Sequence, residues 1–177
     1  MNAILELNKI FKNFGGIEVI KDFSLSLDAG SKVGLIGPNG AGKTTIFNLI
    51  SGVYPVDEGS INVNGRDITD LPAYKRIRFG VARSFQNIRL MPHLSVIENV
   101  LMGQYALAAN FYSLFRPLHF GRGKHDKILA TNLLDKFNIN VPPEEIVSNL
   151  PYGLQKRIEV VRALIANPDL LLLDEPT

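Results

Sequence analysis

Cysteine is absent from this chain, and its absence removes disulfides, cysteine-based zinc sites and thiol catalysis together. That composition is compatible with a reducing compartment. An excess of one charge is also missing: the net charge is +2 over 177 residues, so bulk electrostatics give nucleic-acid binding no support, and any basic patch has to be argued locally. No hydrophobic run is long enough to cross a bilayer. The most apolar stretch, "VVRALIANPDLLLL", is broken by Arg162, Asn167, Pro168 and Asp169, short of the ~20 residues a spanning helix needs. The N-terminus, "MNAILELNKIFKNFGG", carries charges every few residues and lacks the apolar centre of a secretion signal. Internal repeats and low-complexity segments are missing too. A soluble, cytosolic chain is expected, held at a membrane only through a partner. What is present is ordinary globular material, 46% hydrophobic and 20% charged, enough for one domain or one domain with a subdomain.

The first 70 residues read mostly as strands. Phe23, Leu25 and Leu27 alternate with Ser24, Ser26 and Asp28, the period of a strand with one wet face. "INVNGRDI" places Asn64-Gly65 between short alternating segments, a strong hairpin signal. "KVGLIG" reads as an apolar strand opening into a glycine-rich turn, and "KTTIFNLIS" as a helix closed by Gly52. From about residue 90 the pattern turns helical. Ser95 and Glu98 form a capping box. Residues 104–127 look looser and aromatic-rich, a small core or a docking surface, and "VPPEE" breaks the helix "ILATNLLDKF". Leu154, Ile158, Val161 and Ile165 then make one helical stripe, ended by Asn167-Pro168 before a last strand.

"GPNGAGKTT" at 37–45 matches the phosphate-binding loop, or Walker A, pattern. Glycines let the backbone amides of Gly37, Asn39, Gly40, Ala41 and Gly42 curl inward without a Cβ in the way, with Pro38 shaping the turn, and the following helix offers its N-terminal amides to the same anion. Lys43 can reach the terminal phosphates, the Thr44 hydroxyl can hold Mg²⁺, and Thr45 follows. "LLLLD" at 170–174 supplies the matching Walker B half: a buried strand that delivers Asp174 to the metal, with Glu175 next to polarise water. Alone, four leucines and two acids make a core strand with a solvated end. Beside a phosphate loop they read as the acidic half of a nucleotide site.

"GPNGAGKTT", "RSFQNIRL", "LPYGLQKR" and "DEPT", in that order, resemble the ATP-binding subunit of an ABC transporter. "RSFQNIRL", "LSVIENVL" and the "PYG" form of the signature are most similar to the ATPases of branched-chain amino-acid importers. The resemblance implies an α/β fold: a P-loop NTPase (RecA-like) core at 1–88 and 167–177 with an antiparallel β-subdomain, and an inserted helical subdomain at 89–166. It implies ATP and Mg²⁺, with Gln86 contacting metal, attacking water and the membrane subunit. Phe14 falls where the family stacks an aromatic on adenine, and it serves equally well as a packing residue of "KIFKNF". Where the common signature is Leu-Ser-Gly-Gly-Gln, this chain has Leu150, Pro151, Tyr152, Gly153 and Leu154, then Gln155. The serine is missing, so recognition of the phosphate would lean on the amides around Gly153 and on Tyr152.

The implied assembly is a homo- or heterodimer of ATPase subunits under membrane-spanning permeases, at the cytoplasmic face of the plasma (inner) membrane, fed by a periplasmic or extracellular solute-binding protein. No nucleic acid is expected. A non-transport ABC protein on ribosomes or DNA, a lipid or polysaccharide export ATPase, and a binding domain with a degenerate site are the other readings. The basic run Lys75, Arg76, Arg78, Arg83 and Arg89 reads as a solvated face or as carboxylate partners, and His93, His119 and His125 as surface or satisfied histidines. The family pattern continues past "DEPT" with further strands and a catalytic histidine. On that ground the segment 1–177 by itself is expected to expose an unpaired sheet edge and apolar surface, bind ATP weakly and hydrolyse it negligibly.

Overall fold

The computed structural model describes residues 3–84, 88–108 and 120–174, and divides them between two compact units, Met1–Ala82 and Arg83–Thr177. In the first unit, β1 (Ala3–Phe14) pairs antiparallel with β2 (Ile17–Asp28) on one side and β3 (Glu58–Val63) on the other. β4 (Arg66–Asp67) completes the order β2-β1-β3-β4. Leu5, Leu7, Ile10, Ile61 and Val63 fill its inner face. The alternation read in β2 is present: Phe23, Leu25 and Leu27 are half-buried and the residues between them exposed. The β3–β4 turn is made by Asn64 and Gly65 at φ 51° and 70°, the left-handed pair that a two-residue hairpin requires.

Helix α1 (Lys43–Ile50) follows the glycine loop and ends at Gly52, whose φ of 75° closes it as expected. A Cβ on Gly52 would lie 2.6 Å from Arg76 Nε. Arg76, at the end of the short α2 (Ala73–Arg76), is only 2% exposed. Its guanidinium donates to the carbonyls of Leu49, Ile50, Thr69 and Leu71, so it caps α1 from outside the helix. This corrects the reading of the basic run at Arg76, which faces neither solvent nor a carboxylate, while Lys75, Arg78 and Arg89 are exposed as read. Charge spacing in the sequence records neither the helix end nor the distant carbonyls that Arg76 satisfies.

A second correction concerns "KVGLIG", which is not a strand. No strand of the first unit pairs with it among the described residues, and a strand without neighbours has neither ladder hydrogen bonds nor burial. Val33 and Ile36 are 59% and 94% exposed.

The chain enters the second unit along β5 (Val81–Arg83), which forms a two-stranded sheet with β6 (Leu170–Leu172); within that unit Ser84 N–H donates to Leu172 O at 2.9 Å. Three helices follow: α3 (Val96–Ala108), α4 (Phe120–Lys136) and α5 (Tyr152–Leu164). The capping box forms, with Ser95 N–H on Glu98 Oε2 at 2.8 Å and Glu98 N–H on Ser95 Oγ at 3.3 Å. The stripe of α5 faces the core as read: Ile158 and Val161 are fully buried against Val96, Val100, Ala130 and Leu134. The segment read as loose is helical at 104–108 and 120–127. Its aromatics Phe111, Tyr112 and Phe115 and His119 lie outside the described residues. At Gly103 a Cβ would stand 1.9 Å from Arg162 O, so the backbones of α3 and α5 meet directly.

Candidate nucleotide-binding site

The phosphate loop sits on the first sheet. Gly40 and Gly42 take φ of 82° and 83°, and a Cβ at Gly42 would lie 2.6 Å from Ile20 Cδ1 and 3.3 Å from Val19 O. Only glycine lets the chain lie this close to β2 while turning into α1. Ala41 N–H donates to Pro38 O at 3.2 Å, closing the turn. Lys43 Nζ folds back over it, donating to Gly37 O at 2.6 Å and Pro38 O at 2.8 Å. The first turn of α1 holds no acidic residue and no side-chain cap, so its amides keep their positive end for a ligand. Pro38, Asn39, Gly40, Ala41 and Thr44 are exposed, Gly37 and Thr45 half-buried. The loop is an open anion cradle with its own ammonium at the mouth.

Phe14 stands in the same unit, at the turn between β1 and β2. It is 37% exposed, against 1–2% for Leu5 and Leu7 of the same strand. Tyr54, which sequence reasoning missed, meets it edge to face, with centroids 5.2 Å apart and planes at 71°. Lys12 Nζ lies 5.3 Å from the Phe14 ring centroid and pairs with Asp57. Asp57 also accepts from Asn13 N–H at 2.7 Å, and these bonds hold its carboxyl below the usual range. The family resemblance pointed to Phe14, the last residue of β1. No pattern in the sequence links Tyr54 to it.

The second unit carries the other elements. Asp174 follows β6 with its side chain 11% exposed, and Oδ2 accepts from Arg83 Nη2 at 2.9 Å. Arg83 thus takes the carboxylate partner that was one of the two readings of the basic run. At the start of α5, Tyr152 is 62% exposed and a Cβ on Gly153 would meet nothing within 4 Å. Pro151 O accepts from Leu154 and Gln155 N–H, and Gln155 Nε2 turns back to Leu150 O at 2.8 Å. The first turn of α5 also has no acidic residue. Gln86 and Glu175 lie outside the described residues. His93 is exposed and His125 83% exposed at its side chain, the surface placement read for both.

No group of three His, Cys, Asp or Glu is placed to hold a metal among the described residues. The Thr44 hydroxyl in the first unit and the Asp174 carboxylate in the second are each a hard oxygen of the kind Mg²⁺ prefers.

Residues 20–177 match the family model described as ABC transporter. The chain belongs to the ABC transporter ATPases. It is 37% identical over 176 residues to the high-affinity branched-chain amino acid transport ATP-binding protein BraF of Pseudomonas aeruginosa, spanning 98% of this chain and 69% of BraF. The ATP-binding protein LivG of Escherichia coli, with the same description, is 35% identical over the same shares. Among solved structures, the ADP conformation of an ATP-binding cassette of an ABC transporter superposes with a TM-score of 0.83 at 29% identity, covering 99% of this chain and 70% of that one. An ABC ATPase fold, with its antiparallel β-sheet, is thereby shown, and nucleotide binding comes with the family. No helix among the described residues is long and apolar enough to cross a membrane.

Proposed function

We propose that this ABC ATPase powers import of branched-chain amino acids or closely related solutes, working at the cytoplasmic face of the membrane through permease subunits. The observation that carries the substrate class is the 37% identity to BraF across 98% of the chain. The catalytic reading rests on the loop geometry. Lys43 exchanges the carbonyls of Gly37 and Pro38 for phosphate oxygens, and the amides of the loop and of α1 take the rest of the charge. Thr44, Asp174 and Gln86 would hold Mg²⁺, which when bound neutralises charge on the phosphates. Glu175 orients the attacking water as general base. Phe14 offers the adenine a half-exposed aromatic face.

The exposed N-terminus of α5 supports a role in trans. With Tyr152 and Gly153 open and no acid in the first turn, it suits a phosphate bound on a second ATPase subunit, identical or not. Residues 1–88 with 167–177 then form the ATP-binding core, and 89–166 the helical subdomain that passes closure to the permeases. A solute-binding protein outside the membrane delivers the cargo. Nucleic acid has no part in this reading, since Arg76 and Arg83 spend their charge on internal partners.

The test is ATP turnover of the full-length protein carrying Glu175→Gln. Binding of ATP should persist while turnover drops by about a hundredfold or more. Turnover at the wild-type rate would remove Glu175 from its role.

A further inference from the structure

The Arg83–Asp174 pair is unusual for its position. Arg83 ends β5, three residues before Gln86, and Asp174 follows β6. The hydrogen bond from Ser84 N–H to Leu172 O fixes the register that brings the two side chains together. Both are withdrawn from water, at 7% and 11% side-chain exposure, with Nη2 2.9 Å from Oδ2. At these exposures the two charges are screened by salt less than a surface ion pair would be. Any cation that uses Asp174 has to share the carboxylate with a fixed guanidinium.

We infer that Arg83 is a positioning residue that holds Asp174 by Oδ2 and, as a resident counter-ion, weakens the site's grip on the divalent cation, setting the metal concentration at which nucleotide is bound. The inference rests on the reading of Asp174 as a metal-site residue. Weakened binding has a use in a cycle, because a metal held too firmly after hydrolysis would retain ADP. Arg83 supplies the compensating charge through the backbone segment that also carries Gln86, so the counter-ion and the metal-contacting glutamine share one stretch of chain.

The experiment is Mn²⁺ binding by electron paramagnetic resonance, using the full-length protein with a non-hydrolysable ATP analogue, in parallel with fluorescence-detected nucleotide binding across a Mg²⁺ series. Four variants are compared with the wild type: Arg83→Met, Arg83→Gln, Arg83→Lys and Asp174→Asn. Arg83→Met should lower the half-saturating metal concentration about tenfold, the scale on which one close charge changes a carboxylate's affinity for a cation. Arg83→Gln should follow it, and Arg83→Lys, which keeps the charge, should stay near wild type. Should Arg83→Met fail to fold, the Gln and Lys variants decide: equal half-saturation in these two overturns the inference. A wild-type or weaker metal affinity in folded Arg83→Met overturns it as well, and a loss of melting temperature without a metal shift marks a purely structural residue. Asp174→Asn separates the two levels. If it weakens metal binding while the Arg83 variants do not move it, only the role of Arg83 falls; if it leaves metal binding unchanged, the reading of Asp174 falls too.

Discussion

Arg76 carries a full charge at 2% exposure and no carboxylate within its hydrogen-bonding shell, only carbonyls. Burial holds its guanidinium below the usual arginine range, opposed by the more distant Asp70 and Asp67. Such a group is tolerated because it is itself fully engaged by carbonyls at the C-terminal end of α1 and in the turn before α2, where helix geometry leaves acceptors short of donors. Arg76→Met should therefore cost about 3 kcal/mol of stability or more in urea unfolding, since the carbonyls lose their donors together. Arg76→Lys should recover part of the loss, one ammonium being unable to reach every acceptor. Full recovery by lysine would show that charge at the helix end, not the fork of donors, is what matters. Asn99 repeats the theme without charge: fully buried, it accepts from Met91 N–H at 2.7 Å and donates to Met91, Leu94 and Ser95 carbonyls. Neither residue announces itself in the sequence, because each serves backbone groups whose position only the fold defines.

At the scale of elements, local signals proved legible where the physics is local. Asn64-Gly65, Gly52, the Ser95–Glu98 box and the stripe Leu154–Ile158–Val161–Ile165 all act within a few residues, and each lies where the sequence put it. The contacts of α5 were not legible. Glu159 on that helix is 2% exposed; it accepts from Arg89 N–H at 3.2 Å and lies 3.6 Å from Arg162 Nη2, while Arg162 Nη1 donates to Arg89 O at 2.7 Å. The helix thus grips the segment that follows Gln86. Burial raises the Glu159 carboxyl above its ordinary 4.5, with the Arg89 amide and then Arg162 opposing. A raised folded-state value means the favourable term is complete below the unfolded value and is lost as pH rises through the folded one. Glu159→Gln keeps the acceptor for Arg89 and removes the titration. Unfolding at pH 4 to 8 should show the variant gaining on the wild type as pH rises. A constant difference across that range would mean the carboxyl is not held up by burial. Glu98 has the opposite sign: Ser95 holds its carboxyl down, so its contribution is present at neutral pH and fades as acid is added.

For the whole molecule, the antiparallel sheet of the first unit and the helices of the second were foreshadowed by periodicity, whereas "KVGLIG" was not a strand. Periodicity reports what a segment could bury, and burial needs a neighbour; Val33 and Ile36 have none among the described residues. The glycine loop was more legible than its surroundings, because such a loop is built from consecutive residues. Gly37 to Thr44 and the lysine folded over them stand as the motif implies, while the partner ring Tyr54 and the counter-ion Arg83 come from distant sequence. The account as a whole claims that ATP on this loop drives amino-acid import. The most direct measurement is ATP-driven uptake of leucine by vesicles containing the full-length protein with its permease subunits, comparing wild type with Lys43→Met. The account predicts that the variant loses uptake of leucine, isoleucine and valine by at least about tenfold, because the lysine's charge stabilises the transferring phosphate. Undiminished uptake by Lys43→Met, or wild-type vesicles that take up none of the three, would contradict it.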